Sequence, residues 1–231
     1  MAVKPTYLNI AHHAWKLIEQ INRGHAATSL TAFLGPTGTA IVAPHFPANW
    51  LNRIKICVQT PVPTPDLDSL WRNMGYADLN AFELACGGTH ASLFSVLQAF
   101  SHGAGFAGIA YDTTIYLSAA KSDELALSVH ELVHTLQWDY FSPVLFLEKY
   151  IRGFTANFPR YQNNPAETRA YYFENQFRSR VSGLGAFAAG AGLVSIWKKA
   201  IANTPPMQTA RTQLTSMRSL NITTAVAVQG M

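Results

Sequence analysis

The sequence predicts an α+β fold in which helices predominate. Apolar residues recur at three- and four-residue steps along residues 7–22, which is the spacing of an amphipathic helix. Helix-start signals precede two further segments, residues 123–138 and 165–180. Residues 113–118 alternate between two faces in the manner of a strand, and residues 54–59 are a candidate second strand. We therefore expect a small sheet packed against several helices.

The remaining elements are predicted from turn residues and composition. Further helices are expected over residues 67–83, 91–100 and 145–151, and a weak helix in the C-terminal tail. Residues 35–49 contain several proline and glycine residues and are expected to form a loop. Residues 60–68 contain three prolines, which favour an extended linker.

The chain has little charge for its length. Of its 231 residues, 48% are hydrophobic and 13% are charged, whereas about 25% of the residues are charged in a typical soluble domain. Residues 84–120 carry only Asp112, and residues 181–197 carry no formal charge. A membrane span needs about 20 mostly apolar residues, and glycine and polar residues interrupt both stretches. We expect buried structure and no stable membrane insertion, with a membrane-associated protein as the alternative.

Composition also limits the partners and the compartment. The net charge is +4, but the 17 Lys and Arg residues are scattered, so the focused basic patch that nucleic-acid binding needs is not predicted. Cys57 and Cys86 lack zinc-type spacing and are expected to be small buried side chains. The first residues do not have the pattern of a signal peptide. This favours a cytoplasmic protein, or one exported by a route that needs no signal peptide.

The segment His130-Glu131-Leu132-Val133-His134 carries the most chemical information. Histidines four residues apart on a helix lie about 40° apart around its axis, so both imidazoles point to the same side. This spacing suits two ligands of one zinc ion, and Glu131 can reach a water on that ion as a general base. An apolar stripe on the opposite face predicts that the helix packs on a core below a cleft; it consists of Leu125, Val129, Leu132 and Leu136.

A catalytic zinc ion usually has three protein ligands and one water, so a third ligand is needed. A histidine or aspartate six residues after His134 would extend the motif, but that position is Tyr140, and Asp139 is one place away. A glutamate from a later helix is the other route, and Pro165 begins such a helix. Glu167 and then Glu174 are the candidates on that helix, and Glu148, which precedes it, is a weaker third.

Three segments in order resemble a known family. They are residues 108–117 (GIAYDTTIYL), residues 128–137 (SVHELVHTLQ) and residues 164–167 (NPAE). A strand, a HELxHxxQ helix and a later NPxE helix resemble the zincin-like metallopeptidase domains of bacterial toxins and secreted effectors, over about residues 105–180. The resemblance implies a gluzincin-type site in which zinc is bound by His130, His134 and Glu167.

The resemblance also implies a function and an architecture. The function is that of a zinc-dependent endopeptidase, with Glu131 as catalytic base and a peptide or protein as substrate. Residues 113–118 would be an edge strand that pairs with the extended substrate. A single domain would then comprise a helical and loop portion (1–83), a zincin core (84–180) and a C-terminal helical extension (181–231). The alternative is a non-catalytic zincin scaffold with a binding or structural role.

Two features of such a site stay open. Many gluzincins have an aspartate four residues after the ligand glutamate, where it orients a ligand histidine. Here that position is Tyr171, so Tyr171 or another group must do this. The group that stabilises the oxyanion beside the zinc ion is also not fixed by the pattern, and its candidates are Tyr161, Tyr171 and His102.

Overall fold

A computed structural model describes residues 2, 4–47, 49–85, 106–122, 124–157, 160–182 and 219–231 of the chain. The predicted helix at residues 91–100 lies outside the described residues, as do Cys86, His102 and most of the charge-free stretch 181–197. The described part is a mixed α+β structure that is mostly helical, which confirms the coarse fold class. None of the helices in this part is long and apolar enough to cross a membrane.

The described residues form eight α-helices and four short strands. The helices are α1 (Tyr7–Gly24), α2 (Leu30–Val42), α3 (Leu67–Asn73), α4 (Leu79–Ala85), α5 (Leu125–Phe141), α6 (Pro143–Asn157), α7 (Pro165–Ser182) and α8 (Thr224–Ala227). The strands are β1 (Thr28–Ser29), β2 (Lys55–Val58), β3 (Gly108–Tyr111) and β4 (Thr114–Leu117).

The strands form one sheet in the order β1-β2-β4-β3. β2 runs parallel to β4, and β3 pairs antiparallel with β4. The prediction of residues 113–118 as the edge strand is therefore wrong, because β4 lies between two neighbours and β3 is the outer strand of the described sheet. The reason is a tight turn at Asp112, with φ 58°, which folds β3 along one side of β4 while β2 occupies the other. The candidate strand at residues 54–59 is confirmed as β2.

The sheet separates two hydrophobic clusters. Ile115 and Leu117 face the cluster that contains the apolar stripe of α5, whereas Tyr116 faces the cluster built on α1. The four predicted stripe residues of α5 are at most 1% exposed, and they are Leu125, Val129, Leu132 and Leu136. This burial, worth about 1.5–3 kcal/mol for each side chain, fixes the rotation of α5 about its axis. The opposite face of α5 is thereby turned toward α7.

One helix prediction and one loop prediction need correction. The predicted helix at residues 67–83 is divided into α3 and α4, since Gly75 adopts φ 86° after α3 ends. Residues 35–49, expected to be a loop, begin inside α2, where Gly35 takes φ 65° and breaks the helix while Pro36 restarts it. The start of α7 at Pro165 is as predicted, and the Asn164 side chain accepts a hydrogen bond from the Ala166 backbone N–H there.

Candidate metal centre

The three predicted ligands lie together on the faces where α5 and α7 meet. His130 and His134 are one turn apart on α5, and Glu167 is in the first turn of α7. The two imidazole Nε2 atoms are 3.2 Å apart. Glu167 places its Oε2 atom 3.3 Å from His130 Nε2 and its Oε1 atom 3.3 Å from His134 Nε2. All three side chains are buried.

These separations fit a metal ion. Zinc bonds of about 2.0–2.1 Å at tetrahedral angles set neighbouring ligand atoms about 3.3–3.4 Å apart. The Oε2 atom of Glu167 is buried and has no hydrogen-bond partner among the described residues. An unpartnered carboxylate oxygen at this depth is costly unless a cation is close to it. His130, His134 and Glu167 together could therefore hold a metal ion.

The electrostatics of the cluster also favour a cation. Burial lowers the pKa of His130, but the carboxylates of Glu167 and Glu174 beside it outweigh burial and raise that pKa to about 10. Burial raises the pKa of Glu167, but the imidazoles of His134 and His130, each 3.3 Å from it, hold that pKa well below its usual range. A position that binds a proton this strongly is one of negative potential, which also attracts a metal cation.

His130 is held from behind by a chain of charged groups. Its Nδ1 atom lies 3.0 Å from Glu174 Oε2, and Arg178 donates two hydrogen bonds, of 2.9 and 2.7 Å, to Glu174 Oε1. Arg178 also donates to Glu124, at 3.2 Å. Burial raises the pKa of Glu174, but the hydrogen bonds from His130 and Arg178 lower it by more, so the pKa is below its usual value. Glu174 is therefore a carboxylate that only accepts hydrogen bonds. His130 Nδ1 therefore donates, and Nε2 is the nitrogen that gives up its proton to a metal ion and presents its lone pair to the metal position.

Glu174 thus has a different place from the one predicted for it. The sequence ranks Glu174 second among the candidate metal ligands on α7. In the structure it contacts His130 Nδ1, the nitrogen that points away from the metal position, and orients that ring. Tyr171, at the position where an orienting aspartate was expected, packs edge-on against the His130 ring at 4.6 Å between centroids. The sequence signal for Glu174 is its seven-residue spacing from Glu167, which places both carboxylates on one face of α7.

His134 is held by a neutral group. Its Nδ1 atom lies 2.8 Å from Gln137 Oε1. The Gln137 carboxamide nitrogen donates to the backbone carbonyls of Ala166, at 3.2 Å, and Ala227, at 2.9 Å. Because both carbonyls can only accept, Gln137 presents its oxygen to the ring, and His134 Nδ1 must be the donor. The lone pair of His134 Nε2 is then free to bind a metal ion.

Glu131 lies beside the metal ligands with its carboxylate buried. It is 3% exposed, its Oε2 atom has no hydrogen-bond partner among the described residues, and burial raises its pKa to about 7. The strand β3 runs directly past this carboxylate. A Cβ atom added to Gly108 would be 2.8 Å from Glu131 Oε1 and 2.9 Å from Leu117 Cδ2, which is closer than real contacts allow. Glycine at position 108 therefore leaves the space that the carboxylate occupies.

A cavity of about 80 Å³ opens beside these groups. Glu131, His134 and Glu167 form its polar wall. The rest of the lining is mainly aliphatic and aromatic, and it comes from α1, α3, β3, α5 and α6 together with Pro65 and Phe106. Ile18 of α1 and Leu70 of α3 show that the portion before residue 84 contributes to this cavity.

The structure adds one residue that the pattern did not indicate. Tyr150 of α6 lines the cavity, and its hydroxyl donates a 2.6 Å hydrogen bond to Glu167 Oε1. No spacing rule links position 150 to the HELxH motif, because only the packing of α6 against α5 and α7 brings it there. Of the other candidates, Glu148 pairs with Arg152 and Asp139 with Arg53, at the surface. The side chain of Tyr161 lies outside the described part.

Comparison of the chain with known proteins found no matching family model, no similar curated protein and no similar solved structure.

Proposed function

We propose that this chain is a zinc metallopeptidase with a zincin-like, gluzincin-type site. The observation that supports this most is the arrangement of four buried side chains beside one cavity: His130, His134 and Glu167 with donor atoms at metal-ligand spacing, and Glu131 next to them. Two imidazoles and one carboxylate are a ligand set typical of catalytic zinc. Glu131 Oε2 has no hydrogen-bond partner in the described part of the chain, and this favours an enzyme over a non-catalytic scaffold.

Each residue of this site has a separate role in the proposed hydrolysis of a peptide bond. A zinc ion held by His130, His134 and Glu167 would polarise the carbonyl of the cleaved bond and lower the pKa of a water molecule. Glu131 accepts the proton of the attacking water and passes it to the leaving amine. Its buried carboxylate suits this exchange, because the surroundings solvate its negative charge poorly. Tyr150 holds the Glu167 carboxylate in place from the cavity side.

The cavity supports a peptide substrate with an aliphatic side chain next to the cleaved bond. An apolar cavity of about 150 Å³ accepts benzene, so the roughly 80 Å³ available here suits one smaller group. The outer strand β3 can align such a peptide. Ala107 accepts a backbone hydrogen bond from Ser118, and this register turns the main-chain groups of Gly108 and Ala110 away from β4. The Ala110 carbonyl accepts a hydrogen bond from the Trp138 indole at 3.0 Å, so Gly108 supplies the main-chain groups that a peptide would pair with. Gly108 is the residue beside Glu131, where a paired peptide would be cleaved.

Metal analysis of the purified full chain tests the ligand set. After equilibration with zinc and removal of free metal, we expect about one zinc ion per chain. His134→Ala is expected to lose it, and His12→Ala, at an exposed position on α1, is the matched control. Wild-type protein without bound zinc would contradict the site.

Cleavage of a peptide library, followed by mass spectrometry, tests the reaction. Glu131→Gln is expected to lower the cleavage rate by about 10²–10⁴-fold and to keep its zinc. The control is Glu19→Gln, on the solvent side of α1, which should cleave at the wild-type rate. A Glu131→Gln protein that cleaves at the wild-type rate would exclude the proposed base. A zinc-loaded wild-type chain that cleaves no peptide would favour the non-catalytic alternative.

A further inference from the structure

The C-terminal segment, residues 219–231, folds back onto the metal centre. Its first part is joined to the loop after α2: Ile222 donates its backbone N–H to the His45 carbonyl at 2.7 Å, and Leu220 donates to His45 Nδ1 at 3.0 Å. Its helix α8 packs against α5, the helix that carries both histidines. Ile222 and Ala227 are fully buried, so the segment belongs to the core of the described structure.

One contact connects this segment to a metal ligand. The Ala227 carbonyl accepts a hydrogen bond from the Gln137 carboxamide, whose oxygen in turn contacts His134 Nδ1. A second residue anchors the segment at the same place. Arg169 of α7 donates to the Val226 carbonyl at 2.7 Å and to Gln229 Oε1 at 2.9 Å.

The Ala227 carbonyl determines which way round the Gln137 carboxamide lies. If the carboxamide were flipped, its oxygen would face the Ala166 and Ala227 carbonyls, and its N–H groups would face His134 Nδ1. The ring would then accept at Nδ1 and carry its proton on Nε2. That tautomer has no lone pair at Nε2, which is the atom that points at the metal position. Of the two carbonyls that hold the correct orientation, Ala227 makes the shorter hydrogen bond, by 0.3 Å (3.2 against 2.9 Å).

We propose that residues 219–231 support the metal centre. Docking of this segment fixes the orientation of the Gln137 carboxamide and thereby the affinity of His134 for zinc. This inference rests on the proposed zinc site. Gln137 and Arg169 are positioning residues in it, since Gln137 contacts a ligand and Arg169 contacts the segment and the rings of Tyr172 and Phe173. Undocking of the segment would therefore weaken zinc binding without altering any ligand.

A double-mutant cycle in the full chain tests this coupling. The zinc dissociation constant is measured by chelator competition for wild type, Arg169→Met, Gln137→Leu and the double variant. Each single variant is expected to lose about tenfold or more in affinity, as changes behind a ligand histidine do. The double variant should bind no more weakly than Gln137→Leu alone, because both act through the same carboxamide. Arg23→Met, in an exposed pair on α1, should leave affinity unchanged.

The outcomes separate this inference from the proposed function. A wild-type chain that binds no zinc overturns both. A wild-type chain that binds zinc, with Arg169→Met and Gln137→Leu losses that multiply, overturns the coupling alone. So does an Arg169→Met chain with wild-type affinity.

If Arg169→Met reduces the helical circular-dichroism signal, Arg169→Lys replaces it, since lysine cannot reach both acceptors at once. The imidazole Nδ1–H resonance of His134 is a second readout, expected to weaken in both single variants.

Discussion

The two histidines of α5 point at the same place but are held by different means. Behind His130 is a charged chain that runs through Glu174 and Arg178 to the protein surface. Behind His134 is a neutral carboxamide, Gln137, fixed by two buried backbone carbonyls. The HExxH spacing therefore determines only the metal-facing side of the pair. The opposite side is built from residues that are distant in sequence, and it has a different chemistry for each ring.

This difference has a functional meaning. A carboxylate behind an imidazole increases the negative potential at the metal position and makes the ring a more basic ligand. A carboxamide adds no charge, and its effect depends on being held in one orientation. We therefore expect His130 to respond to changes of charge and salt, and His134 to respond to changes in packing of the C-terminal segment.

The largest expected effect comes from a change that leaves both supports intact. Gly108→Ala places a Cβ atom 2.8 Å from Glu131 Oε1 and 2.9 Å from Leu117 Cδ2, so the carboxylate of the proposed base must shift. We expect peptide cleavage to fall by about 100-fold, the lower end of what a general base contributes, with zinc affinity unchanged. Gly24→Ala, where an added Cβ meets nothing within 4 Å, is the control. Loss of zinc together with activity would mean that β3 supports the ligands as well.

The difference between the groups behind the two histidines is tested most directly by making these groups alike. Glu174→Gln gives His130 a neutral carboxamide of nearly the same shape. We expect zinc affinity to fall between about 10-fold and 100-fold, measured by chelator competition. Glu148→Gln, on α6 in a surface pair with Arg152, is the control and also tests the third-choice ligand. Equal affinities for Glu174→Gln and wild type would show that the charge behind His130 is unimportant.

A smaller effect is expected at the third ligand. Tyr150→Phe removes the hydrogen bond to Glu167 Oε1 but keeps the aromatic ring in the cavity wall. A hydrogen bond to a charged group is worth about 1.5–3 kcal/mol, part of which a bound cation replaces, so we expect about a fivefold loss of zinc affinity. A much larger fall in the cleavage rate than in affinity would instead assign the hydroxyl a role in the reaction.

The smallest effect is expected at the outer end of the charged chain. The Arg178 side chain is about half exposed, so its contribution is screened by water. Arg178→Met should lower zinc affinity about threefold at low salt, and the difference should disappear near 1 M salt, where the Debye length is about 3 Å. The His134 side should show no such salt dependence, which Gln137→Leu measured in the same salt series checks.

Local patterns were sufficient for the metal-facing part of this site. The four-residue spacing on α5 brought His130 and His134 together, and the helix start at Pro165 placed Glu167 in a first turn that faces them. The apolar stripe of α5 predicted which face would be buried. Each of these depends on the geometry of a single helix, which sequence spacing describes well.

The rest depends on contacts between distant segments, which no local pattern encodes. β4 lies inside the sheet because β2, more than fifty residues earlier, pairs with it. Tyr150 reaches Glu167 only through the packing of α6. The Ala227 contact joins residues 90 positions apart. Glu174 is the intermediate case, since its face on α7 was predicted but its target was not.

The close approach of Gly108 to Glu131 also offers a way to sort sequences. A chain can keep both histidines and the late glutamate and still have a larger residue on the strand before the motif helix. By the geometry here, such a chain would keep a metal-binding site, but its motif glutamate would be displaced from the position that Glu131 occupies in this protein. Glycine at that strand position, read together with the glutamate of HExxH, would then distinguish hydrolases from metal-binding scaffolds of the same design.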